Sequence, residues 1–262
     1  MLFVYIFVLG AAIGSFLNVL IDRFSNNTSI LGRSKCDYCG KKLAPSLLLP
    51  VVSYLFLKGK SRCCGKKLSL YYPAIEIITG VAFVFATYYI GIESIEDVVL
   101  LNYISIARVI ATYGMVSFLI IVFFADLKYH IIPDEAVASI ILLSIPSVLA
   151  RQILIPNVGA GAILFLIMFA IFAVTRGKGM GLGDVKLAFA IGFFLGLNPG
   201  LVALYIAFVI GGIVSTFALL LKKRGLKSKI AFGPFMVIGM FIMLFYRFEV
   251  LDLIAVYLKL SL

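Results

Sequence analysis

Of 262 residues, 63% are hydrophobic and only 13% charged. A water-facing surface on a chain of this size needs far more charge, which excludes a soluble globular domain and leaves a polytopic membrane protein. The formal charge of +11 does not mark a nucleic-acid binder here, because in a membrane protein basic residues act through the side on which they lie.

About 20 helical residues cross a ~30 Å hydrocarbon core. Eight apolar runs are read as spans, at residues 2–21, 72–91, 103–125, 132–150, 158–175, 187–198, 200–221 and 231–246. The sixth is short, and Asn198-Pro199-Gly200 after it forms either a tight turn or a kink. The expected fold is all-α, with about eight transmembrane helices and a small cytosolic cysteine-containing loop domain. With the N-terminus outside, 19 of the 23 Lys and Arg fall on inside loops and 4 outside. That asymmetry is the one the positive-inside rule requires.

Residues 1–21 lack a basic start and a small-residue cleavage site, so they read as a retained first span rather than a signal peptide. Ser15 and Asn18 within it serve either helix–helix hydrogen bonding or substrate contact. Residues 22–71 are the one sizeable polar segment and hold all four cysteines, in Cys36-Asp37-Tyr38-Cys39-Gly40 and Cys63-Cys64-Gly65. Both clusters run into Gly-Lys-Lys-Leu, like two knuckles of a zinc ribbon. A reducing cytosolic face argues against disulfides. A regular second knuckle would carry cysteine at Ser61 and Cys64, and adjacent residues do not readily bind one ion. Cys36, Cys39 and Cys64 are therefore the firmer candidate ligands of a structural zinc and Cys63 the weakest, against four free buried thiols. The ten Lys and Arg of this loop suit anionic lipid headgroups or simply enforce topology. The apolar stretch Leu47–Leu57 is too short to span and suits an interfacial or domain-core segment.

Glu76 follows Tyr72-Pro73 one turn into span two, where it either pairs with a basic loop residue or lines a polar cavity. Glu93, Glu96 and Asp97 make an acidic outside turn. Asp126 ends span three, followed by His130, Ile132-Pro133-Asp134 and Glu135. His130 is the lone histidine and reads as a loop residue rather than a base. Two spans later comes Gly177-Lys178-Gly179-Met180-Gly181-Leu182-Gly183-Asp184-Val185-Lys186, with glycine at every second position before a carboxylate. Such a backbone can take positive φ or pack closely. The plainer alternative is a flexible loop whose Asp184 caps the next helix. Parity returns Asp126 and Asp184 to the same membrane face, so a carboxylate pair is possible there, with Asp134 and Glu135 as competitors. Residues 222–229 anchor the topology, Phe232-Gly233-Pro234-Phe235 opens the last span, and residues 247–262 form an apolar tail.

Two aspartates within hydrogen-bonding reach do not both ionise cheaply, and they titrate as a pair. One then activates water while the other donates to a scissile carbonyl, with no metal needed for the peptidase chemistry. The same pair could instead carry protons or ions in a transporter.

Gly181-Leu182-Gly183-Asp184 is the GxGD signature of intramembrane aspartyl proteases. Its setting is similar to that of the bacterial type IV prepilin leader peptidases, as are Gly14-Ser15-Phe16-Leu17-Asn18-Val19 with Arg23, the cysteine loop and Tyr72-Pro73 with Glu76. Asp126 before Ile132-Pro133-Asp134, and Phe232-Gly233-Pro234-Phe235, complete the same order across about residues 10–240. The resemblance implies a bifunctional enzyme of the bacterial cytoplasmic membrane, with its catalytic face cytosolic. It would cut the basic leader from type IV prepilins and pseudopilins after glycine, then N-methylate the new N-terminus with S-adenosylmethionine. Its membrane partners would be those substrates and the lipid bilayer. By motif match the catalytic residues are Asp126 and Asp184, supported by Gly181, Gly183, Lys186 and Glu76, whereas Asp134 matches a non-catalytic position. The expected parts are a first helix at 1–21, a cytosolic cysteine domain at 22–71 with the methyltransferase part, a GxGD peptidase core at 72–246 and the tail at 247–262. Ser61 departs from the family's usual second CxxC knuckle. No glycine-rich motif for S-adenosylmethionine is visible.

Overall fold

A computed structural model describes residues 1–25, 32, 36, 38–42, 50–92, 103–177, 179–221, 231–246 and 250. The basic anchor at 222–229, the acidic turn at 93–97, Leu47–Leu49, Lys178 and nearly all of the tail lie outside the described residues. Among the described residues the helices are α1 (Leu2–Ser25), α2 (Val52–Phe56), α3 (Tyr71–Ile90), α4 (Tyr103–Tyr129) and α5 (Asp134–Ala150), then α6 (Leu154–Val174), α7 (Leu182–Leu195), α8 (Leu197–Leu220) and α9 (Gly233–Phe245). The all-α expectation holds: among the described residues there is no extended strand, and bridge pairing is confined to isolated positions such as Lys60 to Lys67.

Among the described residues five helical stretches are long and apolar enough to cross a membrane: Leu2–Ser25, Tyr71–Ile90, Ile106–Tyr129, Leu154–Val174 and Leu197–Ala218. The other three expected spans are shorter helices, α5 with 17 residues, α7 with 14 and α9 with 13.

The chain forms two units, residues 1–124 and 125–262. In the first, α1 packs along α3 through small residues. A Cβ on Gly14 would lie 2.8 Å from the Glu76 Cα, so glycine is what lets the two backbones approach. Ile21, Ile75 and Phe83 fill the seam without exposure. The Thr87 and Tyr113 hydroxyls meet at 2.7 Å and tie α3 to α4, beside a stack of Phe83 on Tyr113 with centroids 4.5 Å apart.

In the second unit α7 is the central element, packed against α5, α6, α8 and α9. Val185, Leu187, Ala188, Ala190 and Ile191 are all fully buried. Its neighbours turn large apolar side chains outward, among them Leu166, Val174, Tyr205 and Phe217, as lipid-facing helices do. At ~1.5 Å per residue α7 rises about 21 Å, short of a ~30 Å hydrocarbon core.

Two expected boundaries are corrected here. The break after the sixth run falls at Gly196, with φ 85°, and not at Asn198-Pro199-Gly200. Those residues lie in the first turn of α8, where proline lacks only an N–H that would have no helical partner. The start moves as well, because α7 begins at Leu182 rather than 187 and takes Gly183 and Asp184 into its first turn.

Candidate active site

Asp126 lies in the last turn of α4, and its Oδ2 accepts a hydrogen bond of 2.8 Å from the backbone N–H of Gly233, the first residue of α9. A Cβ at position 233 would sit 2.8 Å from that oxygen, so glycine lets the helix start close on the carboxylate without displacing it. Asp184 sits in the first turn of α7, and its Oδ2 accepts from the Gly181 N–H at 2.9 Å. The two carboxylates are 6% and 7% exposed. Each is met by a backbone donor at a helix N-terminus, where unpaired N–H groups and the helix dipole offset the cost of burying negative charge. Both line one cleft of about 580 Å³, a size typical of ligand sites.

Asp184 therefore does cap its helix, as the plainer sequence reading has it. The cap uses Oδ2, and Asp126 likewise uses Oδ2, so among the described residues the second oxygen of each carboxylate is left without a hydrogen bond. Of the four alternating glycines only Gly177 has positive φ. Gly183 acts through space instead: a Cβ there would come 2.8 Å from the Ile132 Cβ. Gly179 and Gly181 also line the cleft.

Asp134 stands in the cleft lining too, but it is 69% exposed and ion-paired with Lys186. The ammonium donates to both of its oxygens, at 2.8 and 2.9 Å. A pair this exposed stabilises by about 1 kcal/mol or less; its consequence is to occupy a competing carboxylate. Glu135 is exposed as well. His130, with φ 55° at the end of α4, is exposed on the same cleft.

Glu76 belongs to the first unit. It is 8% exposed, and its Oε2 accepts the backbone N–H of Val51 at 2.7 Å. Val51 holds φ 58°, so the carboxylate fixes the entry to α2, and Ser15 adds a hydrogen bond from α1. Asn18 donates to the carbonyls of Gly14 and Tyr72, each at 3.3 Å. Both polar residues of α1 thus serve helix–helix bonding in this structure.

The four cysteines are free, and their sulfurs all lie within 4.8 Å of one another. The Ser61 hydroxyl, with the backbone at Tyr38 and Cys39, holds the Cys36 thiol down at about 6, whereas the neighbouring sulfurs of Cys63 and Cys36 push the Cys39 thiol up to about 11.

Residues 8–90 match the bacterial Peptidase A24 N-terminal domain, and residues 113–216 match the type IV leader peptidase family. The prepilin leader peptidase/N-methyltransferase of Bacillus subtilis is 30% identical over 265 residues, covering 98% of both chains. This chain belongs to the type IV leader peptidase family. Proteins of the same name from Pectobacterium carotovorum (30% identical, 88% of each chain) and Neisseria gonorrhoeae (28% identical, 87% of this chain and 84% of that one) are also similar. No solved structure matches. The family match at 113–216 contains Asp126 and Asp184; the N-terminal match contains Glu76 and the cysteine cluster.

The contact that sequence reasoning missed is Gly233 to Asp126. Its signal is present in Gly233-Pro234, which reads as a helix start suited to close packing, but nothing local names the partner.

Proposed function

We propose that this protein is a membrane-embedded aspartyl endopeptidase that removes the basic leader of type IV prepilins and pseudopilins after glycine, and then N-methylates the new N-terminus. The observation that carries the reading is two buried aspartates, each held by one backbone N–H, on a single cleft in a chain of this family. The shared name of its relatives supports the second activity.

In this reading Asp126 and Asp184 share one proton. The ionised carboxylate takes a proton from water as its oxygen attacks the scissile carbonyl, while the protonated carboxyl donates to the carbonyl oxygen. Collapse of the resulting diol breaks the C–N bond, and a proton passes to the leaving amine. Gly233 and Gly181 keep one oxygen of each carboxylate occupied, so both present a fixed face to the water.

We place the protein in the bacterial cytoplasmic membrane with all eight of the longer helices embedded, its N-terminus outside and the cleft and residues 22–71 on the cytosolic side. S-adenosylmethionine is the methyl donor implied, supplying an electrophilic methyl group to the freed amine. The cysteine cluster fits a structural zinc, because four soft thiolates at this separation suit a tetrahedral ion.

Mass spectrometry of a prepilin incubated with the purified protein and S-adenosylmethionine tests the reading. Leader loss with a methyl gain, absent for Asp184→Asn, is the expected result. Cleavage without methylation restricts the function to proteolysis, and an intact substrate with folded enzyme returns the carboxylates to a transporter.

A further inference from the structure

We propose that the second knuckle supplies its metal ligand from Cys63 instead of from position 61, and that Ser61 is a positioning residue whose hydroxyl holds the ligand sulfurs. The inference rests on the zinc reading above and assigns its ligands.

The two knuckles are the same turn. Cys36 N–H donates to the Lys41 carbonyl and Gly40 N–H to the Cys36 carbonyl, both at 2.9 Å. Ser61 N–H donates to the Lys66 carbonyl and Gly65 N–H to the Ser61 carbonyl, both at 2.8 Å. Gly40 and Gly65 hold φ 68° and 69°, the left-handed conformation that closes such a turn. Position for position, Ser61 stands where Cys36 stands and Cys64 where Cys39 stands. The backbone of a regular second knuckle is therefore intact, and only its first sulfur is missing.

Cys63 provides that sulfur. Its Sγ lies 3.1 Å from Cys39 Sγ, while Cys36 and Cys64 sulfurs are 3.8 Å apart. Sulfurs about 2.3 Å from zinc in a tetrahedron are about 3.8 Å from each other. The cluster already has nearly that size, and the adjacent cysteines both reach it, contrary to what their sequence spacing suggests.

Ser61 is 6% exposed, and its Oγ lies 3.3 Å from Cys36 Sγ and 3.1 Å from Cys63 Sγ. A neutral hydroxyl is a poor zinc ligand beside four thiolates. Its single O–H can donate to one of these two thiolates at a time, and in contact with both it orients the ligands in the way outer-shell groups do.

The test uses the full chain in detergent, reduced, stripped with chelator and loaded with Co²⁺, whose thiolate charge-transfer absorbance per ion counts Co–S bonds. Cys63→Ser is expected to lose roughly a quarter of that absorbance, since one of four sulfurs leaves. Ser61→Ala is expected to keep the full absorbance but surrender Co²⁺ to a competing chelator at about tenfold lower affinity. The double variant Ser61→Cys/Cys63→Ser, which returns the ligand to the regular position, is expected to restore the full absorbance and shows that the domain still folds. Unchanged absorbance in Cys63→Ser overturns the ligand assignment while leaving the metal reading intact. Unchanged affinity in Ser61→Ala overturns the positioning role, and a double variant without recovery overturns the equivalence of the knuckles. A parent chain that binds neither Co²⁺ nor Zn²⁺ removes the metal reading itself.

Discussion

Replacing either candidate catalytic carboxylate with its amide keeps shape and removes a proton acceptor. Asp126→Asn and Asp184→Asn are each expected to lower leader cleavage by about 10²–10⁴-fold, with thermal unfolding in detergent close to the parent's. In the proposed mechanism the pair acts as one unit, so the double variant is expected to be little worse than either single one in the same assay. Asp134→Asn should behave differently. Its carboxylate is exposed and engaged by Lys186, so cleavage is expected to stay within a few-fold; a loss equal to that of Asp184→Asn would make Asp134 a member of the site. At this scale the placing of Asp126 and Asp184 on one cleft was legible, because the sequence reading puts two expected spans between them and so returns both to one face. The donors that hold them were less so. Gly181 lies three residues before Asp184 and is implicit in the capping pattern, whereas Gly233 lies 107 residues from Asp126.

The short helix α7 connects the glycine motif to the cleft. Its first turn closes on Ile132, and a Cβ at Gly183 would meet the Ile132 Cβ at 2.8 Å. Gly183→Ala is therefore expected to destabilise the second unit by about 1–3 kcal/mol, the usual cost of overpacking, and to lower cleavage. Gly212→Ala in α8 is the control, since its Cβ would meet nothing within 4 Å. It should preserve cleavage and raise the unfolding temperature slightly. If both variants melt alike, close approach is not what position 183 requires. The long helices α1, α3, α4, α6 and α8 were legible because a lipid-facing helix is an uninterrupted apolar run. The ends of α7 were not. A helix buried on nearly every side has no polar stripe to mark its period, and its start depends on a cap that reads equally well as loop.

Topology gives a test on the whole chain. With the N-terminus outside, the exposed Cys39 and Cys64 face the cytosol. A membrane-impermeant maleimide should label them, after chelation, in inverted vesicles and not in intact cells. Labelling from outside would reverse the expected orientation. Sequence by itself determined the class, the main spans, the expected orientation and the family resemblance, because apolar length, charge asymmetry and short motifs are local quantities. The tertiary structure alone decided which backbone N–H holds Asp126, that Lys186 engages Asp134, that Glu76 anchors Val51 and that Cys63 joins Cys36, Cys39 and Cys64. Each of those contacts depends on where distant segments meet in space, and buried polar groups take whichever donor the packing brings within about 3 Å.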